Sequence, residues 1–415
     1  MADYDITQLG SAVEFDTADY RLSTSGGYLK STRFVLAWQS TTNAKKVQCF
    51  SLNRATGAIA AEDSAVTFDN TDASDNAISL TVIDSTHFIV FWRGTDGDGF
   101  CRIFSVNDGS GAITAMGAGA TEYDTTNGSF PSSCLMDPTH VLNTWYYSSN
   151  DDGYAQIFTV NTSTGAITAE SSPFLYDTIG ESASVAKISD TKALVCYKGA
   201  SADGFARVLD VNTSTWAVTG AGSSFEFQDN ITEQWNNVVI MNPGESPTIA
   251  VNFYFNASGG TVGRVLRQLS INTSTWAVSN LGTQLQLYSG VTDMNIERSL
   301  QVIDSTHFIV WFVGTADDGF VRTYSINLGT GALTQLNEVE FNTIDNSLDC
   351  SVNMGSGLFI NAWQDVTSGD GFVQAFQVAL PVSTSVKTYY GLATASVKTI
   401  DDLAIASRKT WEGLA

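Results

Sequence analysis

Short apolar runs rich in Val, Ile, Phe, Thr and Trp alternate along the chain with polar links of Gly, Asp, Asn, Ser and Thr. Apolar runs bounded by such turn residues predict β-strands. The pattern is clearest where Ile78 to Ile83, Phe88 to Arg93, Phe100 to Val106 and Ala112 onward predict four strands in succession. Within the runs apolar and polar positions alternate poorly, as expected of sheets covered on both faces. No helix is needed before residue 380.

The four-strand unit repeats. Residues Asp84 to Phe104 return almost unchanged at Asp304 to Tyr324, four repeat lengths of about 55 residues later, and self-similarity on that scale signals a solenoid, propeller or array. The link between third and fourth strands marks six units: Asn53 to Gly57, Asn107 to Gly111, Asn161 to Gly165, Asn212 to Trp216, Asn272 to Trp276 and Asn327 to Gly331. A seventh unit has strands near Phe359 to Trp363 and Phe372 to Val378, then runs to Pro381 without a fourth. The missing strand lies at the other end, because Ile6 to Phe15 matches the fourth strand Leu333 to Phe341. The expectation is an all-β, seven-bladed β-propeller over residues 1–380, with residues 4–11 completing the last blade and removing the free sheet edges.

An aromatic recurs in each second strand, at Trp38, Trp92, Trp145, Tyr197, Tyr254, Trp311 and Trp363, where large side chains would pack blade on blade. Polar residues near the start of the third strand, Gln48, Arg102, Gln156, Arg207, Arg322 and Gln374, are expected to hydrogen-bond between blades, since a buried arginine needs a partner.

Charge narrows the partners. Among 415 residues, 43 are acidic and 20 basic, a formal charge of −23, which opposes binding to nucleic acid phosphates. No apolar run approaches the length that spans a bilayer, and no basic stretch followed by an apolar one opens the chain. Synthesis in a cytoplasm without membrane insertion is therefore expected. Five cysteines, an odd number spread through the chain, fit small buried hydrophobes better than a disulfide framework.

Acids recur in the turns between second and third strands: Asp96, Asp98, Asp151, Asp152, Asp203, Asp317, Asp318 and Asp370. In a propeller these turns share one end with the links to the next blade, which carry Asp16, Asp69, Asp124, Asp177, Asp229 and Asp345. That end is the candidate binding face, although Asp-Gly is also ordinary hairpin chemistry. Calcium held by clustered carboxylates and carbonyls is the one metal considered; no other cofactor is expected. His87, His140 and His307 repeat a single turn position, which favours a structural role over a catalytic or zinc-binding one. No constellation departs from the repeat, so the chain is expected not to be an enzyme, a propeller glycosidase with paired carboxylates being the least favoured alternative.

From Ser385 a new period of eleven begins: Ser385-Val-Lys-Thr-Tyr-Tyr-Gly-Leu-Ala, then the copies at Ser396 and Ser407. Its apolar series, Val386, Tyr389, Leu392, Val397, Ile400, Leu403, Trp411 and Leu414, has no blade to cover it, so residues 381–415 are expected to be a docking segment of short extended pieces. The propeller repeat, of the Asp-Ser-Thr-His-Phe type, resembles repeats in tail and surface proteins of bacteriophages and bacteria. The last segment resembles the tandem Ser-Val-Lys-Thr-x-x-Gly-Leu-Ala ends of phage and virus structural proteins. Blade five departs most, with Pro243 and Pro247 and no Asp-Gly turn. The resemblance implies a virion structural or appendage protein. Its propeller would be a recognition or spacer module, joined to other virion proteins through the C-terminal repeats and facing a host-surface glycan or protein. The alternative is a cellular adhesin or carbohydrate-binding propeller.

Overall fold

The computed structural model describes residues 2–17, 20–40, 44–71, 78–231, 236–256, 263–289, 299–343, 346–381, 388–389 and 392–393. Seven antiparallel sheets, the blades of a propeller, follow one another, with neighbouring strands in chain order. Blade two is typical: Ile78–Asp84, His87–Arg93 and Gly99–Val106 run side by side, and Ile113–Ala115 and Thr121–Asp124 share the outer edge. These bounds follow the apolar runs closely, because each run is terminated locally by turn residues that cannot continue a strand.

Blade seven takes its outer strand from the N-terminus, as expected. Ile6–Asp16 runs antiparallel to Gly371–Val378, with Ile6 opposite Val378, Leu9 opposite Ala375, Val13 opposite Val373 and Asp16 opposite Gly371. The strand therefore extends beyond residues 4–11. The closure also rebuilds a turn across two chain ends. In blade one, Asn53 N donates to Ala58 O and Gly57 N to Asn53 O, both at 2.8 Å. In blade seven, Ala379 N donates to Asp5 O at 2.9 Å and Tyr4 N to Ala379 O at 2.6 Å. Tyr4 thus stands where the turn glycine stands elsewhere, and its φ of 64° matches that of a turn residue.

The polar residues of the third strand act mostly within their own blade, which corrects the expectation of inter-blade bonds. Gln48 Nε2 donates to Asp63 O at 2.6 Å, Arg102 Nε to Met116 O at 3.1 Å, and Gln156 Nε2 to Ser171 O. Each acceptor lies where the outer strand breaks away from the ladder, so the side chain replaces a lost backbone partner. Arg207 and Arg322 alone reach the preceding blade, at the carbonyls of Tyr176 and Leu287.

The core is a succession of layers between blades. In one, Phe34, Leu36 and Trp38 of blade one pack with Cys350, Ile360 and Val373 of blade seven. Where the innermost strands converge, serines tie one blade to the next: Ser25 Oγ accepts from Leu80 N at 2.9 Å, Ser132 Oγ from Val185 N at 3.2 Å and Ser184 Oγ from Val238 N at 3.1 Å. All five cysteines are free thiols, and four are buried.

The chain divides into two compact units, Met1–Ala379 and Leu380–Ala415. In the second, Thr388–Tyr389 pairs antiparallel with Leu392–Ala393. Of the proposed docking residues, Val386, Val397, Ile400, Leu403, Trp411 and Leu414 lie outside the described residues.

Candidate functional site

Four of the six link acids turn away from the solvent-facing surface that the sequence suggested, whereas Asp229 is exposed and Asp345 lies outside the described residues. Asp16, Asp69, Asp124 and Asp177 accept hydrogen bonds from the second-strand aromatic of the following blade. The bond from Trp92 Nε1 to Asp69 is 2.7 Å, from Trp145 Nε1 to Asp124 2.6 Å and from Tyr197 OH to Asp177 2.6 Å; Trp38 Nε1 donates to Asp16. The aromatic before Asp16, Asp69 and Asp124 packs edge-on against the same ring, with centroids 5.0 Å apart for Phe15 and Trp38, 4.9 Å for Phe68 and Trp92, and 5.1 Å for Tyr123 and Trp145, and Tyr176 before Asp177 meets Tyr197 tilted at 5.1 Å. An aromatic followed by an acid therefore clamps each of these outer strands onto the next blade. In blade five the pairing changes to Tyr254 OH on Gln228 Oε1 at 3.2 Å. Among the described residues, the indole N–H groups of Trp311 and Trp363 have no acceptor.

Blade one adds cations to this ring. Lys45, almost wholly buried, lies 3.2 Å from Asp69, and Lys46 lies 3.2 Å from Asp16. Burial pushes the Asp69 carboxyl up, but bonds from Thr71 and the Lys45 ammonium more than offset it and hold it below the usual carboxylate range.

The turn acids are closer to solvent and remain distributed. Asp96, Asp151 and Asp317 adopt φ of 58°, 63° and 61°, the left-handed conformation that short polar side chains tolerate best. Asp152 accepts from Asn150 Nδ2 at 2.7 Å and from Tyr154 OH at 3.3 Å, and Asp203 accepts from Asn230 N at 2.7 Å. The backbone carbonyls of Asp318 and Asp370 accept from Gly314 N and Asp365 N. Asp98 shares a hydrogen bond with Glu122, which pushes the Glu122 carboxyl up; Asp229, with Asp203 nearby, does the same to Glu226. These pairs belong to different blades. Among the described residues no three His, Cys, Asp or Glu side chains converge to hold a metal ion, so the calcium reading draws no support from them.

At the other end each histidine closes an Asp-x-Thr-His turn. Nδ1 donates to Asp84 at 2.9 Å, to Asp137 at 2.8 Å and to Asp304 at 2.8 Å, while the threonine N–H caps the same carboxylate. Burial raises these three carboxyls, but the threonine and histidine bonds outweigh it and lower them. A folded value below the unfolded one, about 3.9, means stability that is complete above that pH and lost as pH falls through the lower folded values. Replacing Asp84, Asp137 and Asp304 together by Asn should therefore reduce the loss of Tm between pH 5 and pH 3 by about 2 °C. Parallel melting curves for the two proteins would contradict this.

Two further residues on this end escaped the sequence reading. Trp216 and Trp276 take the turn position held by glycine in blades one, two, three and six, with φ of 53° and 59°. Trp216 stacks on His140 of the preceding blade, ring centroids 3.5 Å apart, and Lys192 Nζ lies 4.9 Å from the Trp276 ring. Tyr4 stacks on His307 in the same way at 3.7 Å. The available signal was a bulky aromatic where the repeat requires a left-handed residue.

No family model matches the sequence, and no curated protein is similar enough to count as a relative. Solved structures share the propeller. A protein of Bacteroides fragilis described as a "putative 6-phosphogluconolactonase" superposes with a TM-score of 0.56 at 12% identity, covering 82% of this chain and 94% of its own. The SapL1 lectin, in complex with alpha methyl fucoside, gives 0.45 at 9% identity over 77% and 96% of the two chains. The periplasmic gluconolactonase of Pseudomonas aeruginosa gives 0.38 at 13% identity over 74% and 96%. At such identities the likeness establishes the fold, and only the first overlap is close enough to argue from. It corrects the expectation of a non-enzyme: the same architecture occurs in a protein described as a "putative 6-phosphogluconolactonase", so a regular repeat does not exclude catalysis. The chain is a seven-bladed β-propeller.

Proposed function

We propose that this chain is a recognition propeller mounted on a larger particle, a phage or virus structural protein whose ring makes the outward contact and whose residues 381–415 attach it. One observation carries the reading. Because blade seven is completed by Ile6–Asp16, the C-terminal segment has no blade position left to fill, and it forms a unit of its own. Ordering a segment costs roughly 1 to 2 kcal/mol of backbone entropy per residue, more than so short a piece recovers by burying its own apolar side chains. Other particle proteins would supply the missing surface.

Deleting residues 381–415 tests the attachment. The truncated propeller should melt within about 2 °C of the full chain and be absent from purified particles. Incorporation at the level of the full chain would overturn the reading. A carbohydrate-binding propeller, free or particle-borne, is favoured by the two tryptophan-bearing turns.

A further inference from the structure

The turns that carry Trp216 and Trp276 are built as glycine turns. Asn212 Oδ1 accepts from Ser214 N at 2.9 Å and Thr215 N at 3.2 Å, and Asn272 Oδ1 from Ser274 N at 2.9 Å and Thr275 N at 3.1 Å. The same bonds form in blades one, two, three and six, where Gly57, Gly111, Gly165 and Gly331 close the turn at φ of 72° to 74°. A left-handed conformation strains a bulky L-residue and suits glycine. Folding of the turn therefore does not require an indole, yet the stretch Asn-Thr-Ser-Thr-Trp-Ala-Val occurs on both of these adjacent blades.

We propose that Trp216 and Trp276 are stacking platforms for a chain of neutral pyranose sugars lying across the turns of blades four and five. This rests on the reading of the propeller as the recognition module and names its ligand. Both indoles are half-buried, packed in part against the apolar layers beneath them, and each also meets one group of the preceding blade, the His140 ring or the Lys192 ammonium. Those two groups are already paired, His140 with Asp137 and Lys192 with Asp210, so neither asks for an anionic ligand. Ser214, Thr215, Ser274 and Thr275 are exposed next to the tryptophans in the turns; the threonine oxygens accept from Ala217 N and Ala277 N, which leaves their hydroxyl hydrogens, the two serine hydroxyls and the amide nitrogens of Asn212 and Asn272 to offer. An aromatic surface rimmed by hydroxyl and amide groups matches a sugar, whose C–H face is apolar and whose edge is polar. Two such surfaces on neighbouring blades would engage one glycan twice and gain by avidity. Tyr4 occupies the same turn position but is committed to closure, its hydroxyl donating to Asp304 at 2.9 Å.

The test is binding of the full chain to an array of neutral and charged glycans, with W216G/W276G beside it. Glycine is the residue this turn uses elsewhere, so the double variant should fold. W216L/W276L keeps apolar packing while removing the rings and serves if it does not. Wild type should bind neutral glycans, each single variant should bind less, and either double variant should lose at least tenfold in Kd. An unbound array for wild type, or a folded double variant binding as wild type does, would overturn the proposal. The attachment reading is separated by assaying particles: the double variant should still be incorporated. Glycan binding by a protein never found in particles would sink the attachment while leaving the platforms standing.

Discussion

Removing residues 1–16 should lower Tm by more than 10 °C or leave the ring unable to fold. The strand supplies more than ladder bonds. Ile6 is buried among residues of blades five to seven, Phe15 packs edge-on against Trp38 and Phe50, and Asp16 takes the Trp38 indole N–H and the Lys46 ammonium. Its loss uncovers Gly371–Val378 along an entire edge and opens the layer between blades seven and one. Burial of the apolar side chains, at about 1.5 to 3 kcal/mol each, together with the hydrogen bonds, exceeds 5 kcal/mol in sum, a large fraction of a typical folding free energy. Thermal melting of the truncated chain, with and without a peptide of residues 2–17 added, checks it. The peptide should restore part of the loss by refilling the edge. An unchanged Tm on truncation would mean that the first sixteen residues do not hold the ring closed.

Asp124→Ala should cost about 3 kcal/mol, and Asp98→Asn almost nothing, although both residues are acids at the same end of the propeller. Asp124 is only 5% exposed. It accepts from Trp145 Nε1 at 2.6 Å, Thr126 N at 2.8 Å and Asn127 N at 3.1 Å, so alanine leaves a buried indole N–H and two backbone donors without their charged acceptor. Asp124→Asn, which keeps an acceptor oxygen, should fall between. Asp98 instead meets another carboxylate at the surface, Glu122, and Asn relieves the repulsion while preserving turn chemistry. Urea denaturation reads the three variants directly, as shifts in midpoint at constant slope. Equal midpoints for the alanine and asparagine variants at 124 would show that the clamp contributes little.

What the sequence could state on its own was periodic or local. Approximate strand bounds, the number of units and the loan of the N-terminal strand to blade seven followed from short apolar runs, turn residues and the match of Ile6 to Phe15 with Leu333 to Phe341, because a repeat obliges equivalent segments to do equivalent things. The histidine turns were legible for the same reason, each bond linking residues within one Asp-x-Thr-His stretch. The fate of individual charges was not. Asp124 and Asp98 look alike in composition, and what separates them is a tryptophan on the following blade, brought into reach only when the sheets stack. The stacking of Trp216 was hidden likewise, since its partner His140 lies in the blade before it. Local bonding is written in neighbouring residues. Burial, pairing and the exposed surface depend on which blade faces which, and that is settled when the ring closes.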